Sequence, residues 1–210
     1  RRIRTFGLNA NADVRAEEIS DVNGYYRFTV LVEGKRYARV ELSVPGRHNM
    51  LNALACCAAA EFLGVPGAAA EKGLNKFTGS SRRFQLVGKM PNGATVVDDY
   101  AHHPSEMKAT LRTAKEMRFG RILCAFQPHT YTRTKSLFPE FVEALKLCDQ
   151  AVLAPIYAAR EQNTVGIYST DLAREVPGAV AFDTFAEIAD YLRREAGPND
   201  LVLTMGAGNI

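Results

Sequence analysis

Apolar and polar positions alternate over residues 25–33 and again over 37–43, the period of a half-buried β-strand. Gly34-Lys35 between the two runs reads as a tight turn, so a hairpin is expected there. Residues 2–8 make a shorter mixed run, and the stretch from 1 to 44 as a whole reads as strands. Pro45-Gly46 breaks the pattern, and helical signals take over. Residues 49–63 are rich in Ala and Leu and stop at Gly64, a residue that suits the position just past a helix end. Pro66 can open a second helix, with Ala70, Leu74 and Phe77 on one face.

Gly79-Ser80-Ser81 is the candidate boundary, dividing the chain into 1–81 and 82–210. Beyond it strands and helices alternate. Apolar strands are expected at 84–88, 95–98, 121–126, 151–154, 180–182 and 201–204. Three helices between them carry the stripes Met107/Leu111/Ala114, Phe138/Phe141/Leu145 and Phe185/Ile188/Leu192. Thr184 with Glu187 forms a capping box that opens the last. This alternation predicts an α/β fold whose second part is a Rossmann-like, mostly parallel sheet covered on both faces. Such sheets bind ligands outside the carboxyl ends of their strands. Three polar clusters fall at such ends: Asp98 to His103, Gln127 to Arg133, and Gly206 to Asn209.

Composition narrows the function. The 210 residues are 47% hydrophobic and 23% charged, so a proper core can form. A net charge of +3 with interspersed signs is too weak to argue for nucleic acid. No run of about 18 apolar residues occurs, so no membrane span is expected. The four cysteines show no metal or disulfide spacing and read as buried free thiols in a reducing cytoplasm. The chain opens Arg1-Arg2-Ile3-Arg4 with no initiator Met, as a fragment would.

Each cluster has a functional and a structural reading. A carboxylate of Asp98 or Asp99 could accept hydrogen bonds from a ribose, or could cap the helix opening near Pro104. It is unexpected for both to be structural, since adjacent side chains point apart. His102 and His103 are neighbours that would not converge on one metal ion, so hydrogen bonding to an anion or carbonyl is favoured. His129 and Arg133 flank hydroxyl-bearing residues, and an arginine fork suits a carboxylate or phosphate. One of Arg82 and Arg83 could reach a nucleotide phosphate, or both could be surface residues. Asn49 and Asn52 share a helical face and could read a purine edge, or Asn49 could be an N-cap. Gly206 and Gly208 make half of a dinucleotide fingerprint, or simply a sharp turn.

The strings Pro45-Gly46-Arg47-His48-Asn49-Met50-Leu51-Asn52-Ala53, Arg82-Arg83-Phe84, Asp98-Asp99-Tyr100-Ala101-His102-His103-Pro104 and Phe126 to Thr134 together resemble the Mur ligase family, over essentially the whole chain. The resemblance implies that residues 1–81 are the second half of a central ATP-binding domain and 82–210 the carboxyl-terminal domain. It implies ATP and Mg2+ as cofactors, and UDP-N-acetylmuramate and L-alanine as substrates joined through an acyl phosphate. A relative that recycles a whole tripeptide onto the same sugar is the alternative, as is a nucleotide-binding piece without catalysis. By position, Asn49 and Asn52 would meet adenine, and Arg83, Asp99 and Tyr100 the ribose and phosphates. Arg83, His102, His129 and Arg133 would serve catalysis, Arg133 by holding a substrate carboxylate. The family's phosphate loop, G-x-x-x-x-G-K-[ST], is missing from this sequence: Gly34-Lys35 and Gly88-Lys89 lack the rest of the motif. The isolated chain is therefore expected to be inactive.

Overall fold

A computed structural model describes residues 3–210, and the chain divides into two compact units, Arg1–Gly79 and Ser80–Ile210. Arg2, which opens the first expected strand, lies outside the described residues.

The first unit holds β1 (Phe6–Gly7), β2 (Val14–Val22), β3 (Tyr25–Val32), β4 (Lys35–Glu41), α1 (Arg47–Phe62) and α2 (Gly67–Lys76). The sheet order follows the chain. β1 runs parallel to β2, and the pairs β2–β3 and β3–β4 are antiparallel. The expected hairpin is present, but its turn is Glu33-Gly34 and Lys35 already belongs to β4. Both turn residues have positive φ, 48° and 79°, which matches the right-handed twist of the flanking strands. Asn23-Gly24 makes a second turn of the same kind, with φ of 54° and 81°.

α1 begins two residues earlier than expected. Gly46 is its N-cap, so the cap reading of Asn49 falls. Asn49 Nδ2 instead donates to the Pro45 carbonyl at 2.7 Å, and Asn52 Nδ2 donates to Asn49 Oδ1 at 3.2 Å. Pro66 is the N-cap of α2 rather than its first residue, and Phe77 is the exposed C-cap. α2 covers the free edge of β4. Glu71 Oε2 accepts from Arg39 N at 2.8 Å, and Asn75 Oδ1 accepts from Glu41 N at 2.9 Å. These side chains, one helical turn apart, satisfy backbone groups that an edge strand would otherwise leave open. Gly67 permits the close approach, since a Cβ there would lie 1.9 Å from the Tyr37 carbonyl oxygen.

The second unit runs β5 (Gln85–Lys89), β6 (Thr95–Asp99), α3 (Pro104–Glu116), β7 (Ile122–Phe126), α4 (Tyr131–Ser136), α5 (Phe138–Leu145), β8 (Gln150–Leu153), α6 (Ser169–Glu175), β9 (Val180–Ala181), α7 (Phe185–Glu195) and β10 (Leu201–Met205). The sheet order is β5-β6-β10-β7-β8-β9, parallel throughout except for β5. Alternation along β7 explains why helices are needed on both faces. Ile122, Cys124 and Phe126 pack with Met107, Leu111, Phe141 and Leu145, while Leu123 and Ala125 pack with Ile188 and Leu192 of α7. The expected mixed α/β, mostly parallel architecture is the one observed. Of the thiols, Cys57 and Cys124 are buried and Cys148 half-buried, but Cys56 is exposed, because it sits on the outward side of α1.

Among the described residues no helix is long and apolar enough to cross a membrane.

Candidate functional site

The sheet order brings the three polar clusters together. β10 inserts between β6 and β7, so segments 98–103, 206–209 and 127–133 leave the carboxyl ends of three adjacent strands.

Much of the first cluster is structural. Asp98 Oδ2 accepts from Arg82 Nε at 2.8 Å, and Oδ1 accepts from the Thr204 hydroxyl at 2.8 Å. Asp99 is buried, with Oδ2 accepting from Phe84 N and Oδ1 from Ala101 N, both at 2.8 Å. Both carboxylates thus hold the fold, contrary to expectation. They do point apart, one toward the neighbouring strand and one into its own loop, but each direction offers donors. His103 is the N-cap of α3, its Nδ1 accepting from Ser105 N, with Glu106 completing a capping box and Pro104 at the first helical position.

The arginine pair divides its roles. Arg82 also donates to the carbonyls of Gly206 (2.8 Å) and Gly208 (3.1 Å), and its guanidinium lies 5.1 Å from the centroid of the Tyr100 ring. Arg83 is exposed and its side chain has no hydrogen-bond or ion-pair partner among the described residues. Arg82 and Phe84 on either side have φ of 57° and 46°, an uncommon region for non-glycine residues. Gly206 and Gly208 are required by Gln127. A Cβ on Gly206 would meet the Gln127 carbonyl at 2.9 Å, and one on Gly208 would meet Gln127 Oε1 at 2.0 Å.

His102 lies at the centre of what remains. Its Nδ1 is 2.9 Å from the Tyr100 carbonyl, which can only accept, so Nδ1 carries the proton and Nε2 the lone pair of the neutral ring. The rings of Tyr100, His102, His129 and Tyr157 form a row, with centroid separations of 5.3, 5.7 and 5.4 Å. Desolvation holds the His129 imidazole below its usual range, with the nearby charges of Arg133 and His102 adding to the effect and Glu161 opposing it. His129 Nδ1 and Arg133 Nη1 are buried and have no partner among the described residues. Buried polar atoms are nearly always satisfied, so two orphans on one turn of chain single this place out as the candidate site.

The polar cluster 127–133 is not all loop, since Tyr131 opens α4 and Arg133 stands in its first turn. The N-cap, Thr130, has φ 67° and ψ 144°, costing about 1–3 kcal/mol for a residue outside the common regions. Its N–H donates to the Tyr157 carbonyl at 2.9 Å, and its carbonyl accepts from Thr134 N at 3.1 Å and the Thr134 hydroxyl at 2.7 Å. Glu161, which sequence reasoning missed, accepts from Thr132 N at 2.9 Å and from the Thr132 hydroxyl. Hydrogen bonds from the Thr132 hydroxyl and N–H hold the Glu161 carboxyl below its usual range against desolvation, with smaller effects from Tyr131 and Thr130 beside it. A cleft of about 430 Å³ lies beyond Tyr157, bordered by Gln127, Pro155, Ile156, Asp183 and Phe185. Asn49 and Asn52 belong to α1 of the first unit.

Known proteins resemble the chain over nearly its whole length. Residues 82–208 match the Mur ligase, glutamate ligase domain, and residues 1–60 match the Mur ligase middle domain. The chain belongs to the Mur ligase family. It is 48% identical to a UDP-N-acetylmuramate–L-alanine ligase of Acetivibrio thermocellus, over 99% of this chain and 45% of the relative. It is 46% identical to the ligase of the same name from Clostridium tetani, over 99% of this chain and 46% of the relative. The chain therefore spans about half the length of these curated relatives. The crystal structure of the UDP-N-acetylmuramate–alanine ligase of Thermotoga maritima aligns with a TM-score of 0.78 at 31% identity, covering 98% of this chain and 45% of that one. A murein peptide ligase of Psychrobacter arcticus aligns with a TM-score of 0.65 at 28% identity, covering 98% and 43%.

Proposed function

We propose that the chain supplies the amino-acid side of an ATP-dependent ligase that joins L-alanine to UDP-N-acetylmuramate. The reading is carried by the two buried, unpartnered atoms, His129 Nδ1 and Arg133 Nη1, beside the His102 ring. It is supported by relatives of that name at 48% and 46% identity.

In this reading the lactyl carboxylate of the sugar is first converted by ATP to an acyl phosphate. The amine of L-alanine then attacks the acyl carbon, the new C–N bond forms, and inorganic phosphate leaves with the C–O bond electrons. Arg133 holds the carboxylate of L-alanine through its free Nη1, a charge-assisted pairing that fixes where the amine points. His129, kept neutral by its surroundings, hydrogen-bonds an oxygen of the substrate. His102 presents its Nε2 lone pair to the proton released by the attacking amine. Asn49 and Asn52 contact adenine, and Arg83 and Tyr100 contact the nucleotide's ribose and phosphates. Asp99 acts one step back, shaping the loop that carries Tyr100 and His102. Among the described residues no group of three or more His, Cys, Asp or Glu side chains could hold a metal ion.

Titration of the 15N-labelled chain with L-alanine tests the reading. L-alanine should shift the His129 and Arg133 side-chain resonances, Arg133→Ala should abolish the response, and L-alaninamide, which lacks the carboxylate, should give none. An equal response to the amide would end the assignment of Arg133. The tripeptide alternative predicts a stronger response to a tripeptide than to L-alanine. Alanine-dependent phosphate release by this chain alone would contradict its expected inactivity.

A further inference from the structure

We propose that Glu161 is a positioning residue, holding the opening of α4 in the one conformation that aims Arg133 and His129 at their ligand. The proposal rests on the reading of those two side chains given above.

α4 has no hydrogen bond from its own N-cap side chain, and that cap, Thr130, is a β-branched residue at φ 67°. A short helix with a strained, uncapped start has little of its own to hold it. Glu161 provides what is missing from 29 residues away, accepting the Thr132 N–H and hydroxyl. Both donors lie between His129 and Arg133 in sequence.

The carboxylate is itself held in place. Tyr157 N donates to the Pro128 carbonyl and Thr130 N to the Tyr157 carbonyl, both at 2.9 Å, an isolated parallel bridge beside the helix start. Glu161 N donates to the Ala158 carbonyl at 2.9 Å, and the Asn163 side chain bonds both backbone groups of Ile167. Segment 157–167 is thus a brace with Glu161 at its centre. Its removal leaves both Thr132 donors without their shared acceptor, beside the strained Thr130 and directly between the two ligand-facing side chains.

The test compares the unsubstituted chain with Glu161→Ala and Glu161→Gln by side-chain 15N relaxation at Arg133 Nε and by the ring shifts of His129. The expected result is loss of Arg133 order and a displaced His129 ring signal in Glu161→Ala. Glu161→Gln, which keeps an acceptor oxygen, should restore both at least in part. A lowered unfolding temperature with unaltered Arg133 order and His129 shifts would mean a purely structural brace and would overturn the proposal. If Glu161→Ala does not fold, Glu161→Gln and Thr132→Ala decide: loss of Arg133 order in either supports the proposal, and retention in both overturns it. L-alanine is added last. No response in the unsubstituted chain would count against the ligand reading alone, because the order of Arg133 is measured without ligand.

Discussion

Arg82 Nε donates to Asp98 Oδ2 over 2.8 Å, while the side chain of Arg83, the next residue, has no acceptor among the described residues. The guanidinium of Arg82 further ties two carbonyls beyond β10 to the end of β6. Arg82→Ala leaves Asp98 without its counter-ion and should lower the stability of the second unit by about 1–3 kcal/mol. Arg83→Ala should leave the urea midpoint where it was. Equal losses for the two variants would mean the division of roles is wrong.

Asp99 accepts two backbone N–H groups while buried. Asp99→Asn is close to isosteric but turns an amide NH2 toward one of those donors. We expect a loss of about 1–3 kcal/mol without any nucleotide present. A variant as stable as its parent, yet weaker in ATP binding, would return Asp99 to direct nucleotide contact.

His129 makes stability depend on pH in a known direction. Its folded pKa is lowered, so the unfolded chain takes up the proton first as pH falls. The contribution is fully present above about 6.5 and is lost as pH falls from there through the folded value. His129→Gln should flatten that part of the profile. In NMR, His129 should titrate below the free imidazole, and Arg133→Ala should move it part of the way back, since burial remains the larger cause. A midpoint above 6.5 would reverse the assignment.

Glu71 and Asn75 close the free edge of β4. The double variant Glu71→Ala/Asn75→Ala exposes an edge ready to pair with another chain. It should scatter more light on gentle heating than the parent at equal concentration. Unchanged scattering would show that the helix backbone alone protects the edge.

The α/β alternation was legible because most strands of the second unit are apolar and three of its five helices, α3, α5 and α7, carry apolar stripes. Within the stretch read as strands β2 had no run of its own, since only Val14 and Ala16 of its nine residues are buried, Arg15 is half-buried and the other six are exposed. Asn23-Gly24 was the available signal for it, the strongest short hairpin turn. In the site, residue types at strand ends pointed to His102, His129 and Arg133. What the sequence could not show is which polar groups satisfy one another. Arg82 and Arg83 look equivalent until Asp98 takes one. Glu161 lies too far along the chain for any local pattern to link it to Thr132.

β10 follows β5 to β9 in the chain yet lies inside their sheet, separating β6 from β7. Thr204 and Asp98, paired across it, are 106 residues apart. During synthesis the second unit therefore waits with a gap at its centre, both flanking strand edges unpaired, until 201–205 leaves the ribosome. Its folding is gated by length rather than by local propensity, and the waiting state is where a chaperone or an aggregate would compete.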